Sequence, residues 1–319
     1  MSYAPPALTT VAPGLSHKAT VYYMRKGLDK LKASLYFDTV CDAKELPRNN
    51  GRTMQAYRFD LPAANTNPVV DGTINSAIPM TSSTIVWTVE EYNDFTSTSR
   101  LYDETDISEE MTEMVEFMSY RGALTWDNIL RTEFDSVSAA QVSPIGVYFS
   151  AADVRRNVAA LEGLNVSPRD GGFQMITHPY NAYDLCSDNT AGGFIDVSKY
   201  AQPEKLLNGE IGKIHKTRVV ESTNVTTSGS APNVIYSSYL VGKGAVAKAS
   251  LAGSGPTGPA NPDNMNFRLK ITRSPEGGAP FDPAGTLGTF VAYRFVATAK
   301  NLGTDQSRFR RIDSDTSVV

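Results

Sequence analysis

The sequence predicts an α+β fold, and three observations carry that expectation. Stretches of strict apolar–polar alternation, the mark of half-buried strands, occur early (Thr53 to Leu61, Ser83 to Tyr92) and late (Phe267 to Thr272, Leu287 to Val296). Between them, from Ser108, runs one long stretch of helical periodicity. A mixed region of shorter helices and strands follows it, from Ser150 to Val246.

Taken in order, the first twenty residues hold Pro5, Pro6, Pro13 and Gly14 and show no apolar periodicity. Such a terminus is mobile unless something ties it down, and a neighbouring subunit is the natural candidate. Tyr22 to Phe37 reads as a short amphipathic helix, with Leu28, Leu31 and Leu35 at helical spacing among Lys26, Lys30 and Lys32, although Gly27 weakens it. Pro47, Asn49, Asn50 and Gly51 form a turn cluster. The first two alternating stretches are separated by about twenty residues carrying Pro62, Pro68, Pro79 and an Asp71-Gly72 turn, far more than the two to five that close an ordinary hairpin. A long hairpin projecting from the body reconciles the two. Pro68, Val69, Val70, Ile74, Ile78 and Met80 near its tip would be unstable in water alone, so they are the candidate inter-subunit contact residues.

Ser108 is a good N-cap, and Glu109 and Glu110 suit the positive end of a helix dipole. Met111, Met114, Val115, Met118, Trp126, Ile129 and Leu130 follow near i, i+3, i+4, i+7 spacing; a helix reaching Phe134 would be roughly 40 Å long. Ser150 and Asp153 have capping-box spacing for a second helix, with Val154, Val158 and Leu161 inward and Gly163 as its stop. Phe173 to Thr177 reads as a strand and Pro179 to Leu185 as a short helix. Leu206 to Ser222 reads as turn, strand, turn, and Val234 to Val246 as one strand region. Gly253 to Pro262 is a Gly/Pro loop, and the late alternating stretches after it read as sheet strands.

Composition excludes several function classes. The net charge is -4, without the basic excess of a protein built to grip DNA, and 41% hydrophobic with 20% charged residues fits an ordered chain. Two cysteines, Cys41 and Cys186, make neither a disulfide framework nor a zinc cage and are expected as free thiols. No apolar run approaches the roughly 20 residues of a membrane span, and Met1 to Thr10 lacks a signal-peptide pattern, so the chain is expected to work in solution. His17, His178 and His215 form no metal motif, and a strand-to-helix turn accounts for His178. Gly209 to Lys213 and Gly242-Lys243-Gly244 fail as phosphate loops, and no G-x-S-x-G elbow exists. Adjacent acids, Glu90-Glu91 and Glu109-Glu110, do not face each other and read as solvated charge. Arg308, Arg310 and Arg311 around Phe309 could touch nucleic acid; an exposed strand edge or turn paired with carboxylates such as Asp305 and Asp313 is the better reading. No catalytic residue, metal or cofactor is expected.

This order of parts resembles the Hong Kong 97-type phage capsid fold: N-terminal arm, projecting hairpin, long helix, mixed region, returning strands. Particular segments are similar to the N4-like family of tailed-phage major capsid proteins. They are Lys199 to Lys213 (KYAQPEKLLNGEIGK) followed by Arg218 to Ser222 (RVVES), Leu46 to Thr53 (LPRNNGRT), Ala152 to Arg156 (ADVRR) and His178 to Leu185 (HPYNAYDL). The resemblance runs from about Tyr22 to Asp313. The chain departs from the pattern at Asn93, where Gly is expected, and around Gly253.

The resemblance implies a division into an N-terminal arm and short helix (1–45), an extended β-hairpin loop (46–95), a spine helix with peripheral domain (96–150), an axial domain (151–262) and peripheral strands with a C-terminal tail (263–319). It implies a virion protein, assembled in the bacterial host cytoplasm into hexamers and pentamers of an icosahedral head. That head would enclose double-stranded DNA without reading its sequence. Scaffolding and portal proteins are expected as separate chains, with a decoration protein as an optional outer partner. Gly209 and Gly212 would serve turns, and covalent cross-linking is not expected. The alternatives are the shell of an encapsulin-type nanocompartment, a cytosolic enzyme with an unrecognised site, and a tail or adhesin protein, for which no strand repeats are visible.

Overall fold

The computed structural model describes residues 26, 36–46, 51–59, 64–66, 68, 71–72, 77–101, 110–169, 171–188, 210–230, 233–251, 268–273, 287–303 and 307–318. Within them, two large sheets and one two-stranded ribbon are organised around a long helix.

The five-stranded sheet is built on β13 (Leu287–Asn301). One edge of β13 pairs antiparallel with β4 (Glu90–Ser99). The other edge pairs with β12 (Arg268–Arg273) and then with β11 (Val246–Leu251), which carries β1 (Asp42–Leu46) in parallel. Alternation decides its faces. Val291, Tyr293, Phe295 and Ala297 are buried, while Arg294 between them is exposed.

The seven-stranded sheet is built on β10 (Asn233–Val241). β14 (Phe309–Ser314) lies along one edge and itself pairs in parallel with β5 (Gln141–Val142). Along the other edge lie β9 (Thr227–Ser230) and β6 (Phe173–Thr177). β8 (Thr217–Glu221) joins β6 in parallel and pairs with β7 (Glu210–Ile214). This sheet is covered on both faces. Tyr239, Val241, Ile176 and Phe309 belong to one apolar cluster, and their neighbours Leu240, Met175 and Ile312 to another.

Helix α1 (Glu110–Asp135), 26 residues and about 39 Å long, binds the two sheets together. The Phe134 ring lies 5.8 Å from Tyr239 and 5.1 Å from Phe309, on the seven-stranded sheet. Trp126, two turns earlier, meets Phe295 of the five-stranded sheet at 5.9 Å. Each such side chain contributes about 1.5–3 kcal/mol by leaving water. On the far face of the seven-stranded sheet lie α2 (Ala151–Gly163) and α3 (Pro179–Ser187), through Val154, Val158, Leu161 and Leu185.

A short 3-10 helix (Phe37–Val40) is pinned to α1 by polar side chains. Asp127 on α1 accepts the Phe37 N–H at 2.8 Å and the Asn224 amide at 3.0 Å. Asp38 accepts the Trp126 Nε1–H at 2.8 Å and pairs with Lys248 Nζ at 2.6 Å. Burial pushes the Asp127 carboxyl up in pKa, against the hydrogen bonds from Asn224, Phe37 and Tyr36 that pull it down.

Several elements match the sequence reading: the strand at Phe173–Thr177, and the helix from Pro179, which runs on to Ser187. The Ser150–Asp153 capping box has both its bonds. Others differ. The single strand expected from Ser83 to Tyr92 is two, β3 (Ser82–Thr88) and β4, because at Val89 the chain leaves the hairpin and joins the five-stranded sheet. The turn, strand, turn expected over Leu206 to Ser222 contains two strands, β7 and β8. The turn between them is His215–Lys216, both left-handed (φ 45° and 65°) without the glycine that usually announces it. Val234 to Val246 also divides, at Gly244 (φ 71°), and sends β10 and β11 to different sheets. Helix α2 ends on Asn165 in the left-handed conformation (φ 55°), with Gly163 still helical. Gly212 sits not in a turn but within β7, beside a register shift, where an extra residue is taken up as a bulge. The expected N-cap Ser108, Gly209 and the leucines at 28, 31 and 35 lie outside the described residues.

Candidate subunit-contact surface

The ribbon of β2 (Thr53–Phe59) and β3 has one face exposed at every position along both strands. It belongs to neither large sheet. Its root is fixed to the body: the Val89 N–H donates to the Arg52 carbonyl at 2.8 Å, Trp87 is buried, and Lys44 Nζ stands 5.8 Å from the Trp87 ring centre.

Register decides what the ribbon presents. Tyr57 faces Thr84, Phe59 faces Ser82 and Val86 faces Gln55, all on one side. Ile85 faces Ala56 and Trp87 faces Met54 on the other. The two apolar sets, each legible as an alternation, therefore point to opposite faces, and a two-stranded ribbon has only one residue layer to separate them. Tyr57 is 63% exposed and Phe59 55%. An isolated hairpin is marginal in water at best, so a ribbon with aromatics on its open face needs a covering surface.

The expected contact residues fall on the loop between β2 and β3. Pro68 is exposed, and Ile78 and Met80 are 62% and 75% exposed. Val69, Val70 and Ile74 lie outside the described residues. The structure thus places Pro68, Ile78 and Met80 in solvent beyond the ribbon.

No protein-family model and no curated protein sequence matches the chain. Solved structures do. The capsid of cyanophage Pam1 is similar over 100% of both chains, with a TM-score of 0.64 at 13% identity. The capsid of Ralstonia phage GP4 is similar over 88% of each chain, with a TM-score of 0.62 at 11% identity. A virus-like particle from Pyrococcus furiosus is similar over 92% of this chain and 98% of its own, with a TM-score of 0.52 at 9% identity. The fold is that of a phage capsid chain.

His178, Arg308, Arg311 and Glu91 are each engaged by neighbours within the chain. His178 caps α3, its Nδ1 accepting the Tyr180 N–H at 3.2 Å. Arg311 is not at an exposed edge but on an inner strand, paired with Asp313 at 2.9 Å and Asp135 at 3.4 Å; Arg308 donates to the Gly244 carbonyl, and Asp305 is outside the described residues. Glu91 is not merely solvated, since two bonds from Arg294, at 2.5 and 2.9 Å, hold its carboxyl below the usual range. Cys41 and Cys186 are free, and burial pushes both thiols up. Among the described residues, no group of His, Cys, Asp and Glu could hold a metal ion, and no helix is long and apolar enough to cross a membrane.

Of the exposed apolar residues that lay outside the sequence reading, two sets sit on α1 and β4. One is Phe117, Tyr120 and Leu124, on the face of α1 turned away from the sheets. Their i, i+3, i+7 spacing was a usable signal, hidden behind the stronger buried stripe. The other is Phe95, on the outer face of β4.

Proposed function

We propose that this chain is the major capsid protein of a tailed phage of the N4-like family. It would self-assemble into the hexamers and pentamers of an icosahedral head around double-stranded DNA, with α1 as spine helix and the ribbon as extended loop. The observation that carries this is the capsid fold along the whole chain together with a ribbon that presents Tyr57, Phe59 and Val86 on its exposed face. A head-to-tail contact, ribbon onto the next subunit, closes into rings when the rotation allows. Scaffolding and portal proteins would be separate chains. The axial domain, expected over 151–262, would be the seven-stranded sheet with α2 and α3, drawing in β14 and β5 from outside those bounds, and the peripheral domain the five-stranded sheet, which takes β11 from within them. The role is structural, without catalysis.

Negative-stain electron microscopy of purified protein, alone and co-expressed with a scaffold, tests it. Closed thin-walled particles or flat hexameric sheets are expected; small oligomers under both conditions would overturn the reading. The likeness to the Pyrococcus particle favours a second reading, a nanocompartment shell, and co-purification separates the two: nuclease-protected DNA for a phage head, a cargo enzyme for a compartment.

A further inference from the structure

We infer that the Asp71-Gly72 pair, on the loop between β2 and β3, is a self-modification site at which the chain isomerises slowly to an isoaspartyl linkage. The reaction needs no partner but water. The Gly72 backbone nitrogen attacks the carbonyl carbon of the protonated Asp71 side chain. A C–N bond forms, the carboxyl hydroxyl leaves with the Gly72 amide proton as water, and a five-membered succinimide results. Water then adds to one of the two ring carbonyls and breaks its C–N bond. Opening at the side-chain carbonyl restores aspartate. Opening at the main-chain carbonyl leaves the backbone running through the side-chain carbon, with the former main-chain carboxyl free. Mass and oxidation state are unchanged.

The sequence offers this dipeptide twice, at 71–72 and at 170–171, and the structure separates the two. Around the second pair, the Arg169 N–H donates to the Gly172 carbonyl at 2.9 Å and the Gly172 N–H to the Arg169 carbonyl at 3.0 Å. Arg169 is itself fixed: it donates to the Val40 and Cys41 carbonyls and pairs with Asp42 at 3.0 Å. Bringing a glycine nitrogen onto the preceding side chain rotates the peptide between them, and at 170–171 that rotation bends two hydrogen bonds away from line. Asp71 and Gly72 lie in a turn and are both exposed. Among the described residues, none bonds the Asp71 carboxylate. Gly72, at φ 82°, carries no side chain and has no heavy atom within 4 Å of where one would start. Gly171 is equally open, so the reciprocal bonds at Arg169 and Gly172 are the difference.

The isoaspartyl product lengthens the backbone by one carbon in the loop that carries Pro68, Ile78 and Met80. The consequence for assembly rests on the shell reading above. Free subunits lose competence with age, whereas a neighbour lying on the loop holds the turn and slows the reaction.

The test ages free subunits at physiological temperature and neutral pH, beside particles aged in parallel. Protein isoaspartyl methyltransferase with a labelled methyl donor marks the product, and peptide mapping by mass spectrometry locates it. In free subunits, label on the peptide containing position 71 is expected several-fold above that on the peptide containing position 170. It is expected to vanish in Asp71→Glu, whose ring would be larger by one atom. No label at 71, or equal label at 170, overturns the site. In particles, several-fold less label at 71 than in free subunits is expected. Equal label there overturns the cover on the loop and leaves the modification standing. If no particles form, the shell reading fails, and the free-subunit comparison still decides the site.

Discussion

Among the described residues, His178 is one whose position makes stability depend on pH in an ordinary range. Burial against Tyr236 holds its pKa below the usual imidazole value, so the folded chain keeps it neutral. The unfolded chain then binds more protons between the folded pKa and about 6.5. Stability contributed by this site is full above that window and is lost as pH falls through it. Urea denaturation at pH 7.5 and 5.5 is expected to show a loss for the native chain that is smaller in His178→Asn, which keeps a capping acceptor and does not titrate. Equal losses would mean that the imidazole carries none of the effect. A larger cost belongs to Asp38. Its side chain and that of Lys248 are 9% and 11% exposed, and Asp38 also holds the Trp126 indole. Asp38→Ala strands a buried ammonium and is expected to cost about 3–5 kcal/mol in a denaturant titration.

The elements divide into those that hold the subunit together and those that face outward. Helix α1 is of the first kind, because Phe134 touches rings of the 3-10 helix and of the seven-stranded sheet at once. Phe134→Ala is expected to cost about 3–5 kcal/mol by chemical denaturation. The ribbon is of the second kind. Tyr57→Ser with Phe59→Ser should shift subunit stability by no more than about 0.5 kcal/mol per site, since exposed positions rarely do more. The same pair should abolish particles under the microscope, as should deletion of residues 63–79. Particles from either variant would remove the ribbon from the assembly contact. Element identity was largely legible: the long helix, both strands of the ribbon and the late strands all follow from period. The boundaries at Val89, His215–Lys216 and Gly244 were not. Alternation continues across Val89, and a left-handed His-Lys pair has no sequence signature.

At the scale of the molecule, the shell reading makes stability a property of the assembly. Whatever binds only the folded state raises its apparent stability by mass action, and neighbouring copies are such a ligand. Assembled particles are expected to melt at higher temperature than dissociated subunits in differential scanning calorimetry. The Tyr57→Ser, Phe59→Ser chain should show only the subunit transition. Coincident transitions for particle and subunit would mean that the contacts add nothing. Intact-mass analysis of denatured particles should return a single chain mass, without covalent oligomers.

The sequence by itself determined the elements that depend on period and capping: alternating strands, an amphipathic helix of some 26 residues, and the Ser150–Asp153 box. It also determined the candidate contact loop, because prolines and exposed apolar residues between two strands are a local property. Only the tertiary structure decided which strands share a sheet. It alone showed that β10 and β11 part company at Gly244, that β4 returns to β13 nearly two hundred residues later, and that the two apolar rows of the ribbon face opposite ways. The reason is physical. Period records which side chains share a face of one element, while register and partner choice are settled by packing between residues far apart in the chain, where a shift of one residue inverts every face.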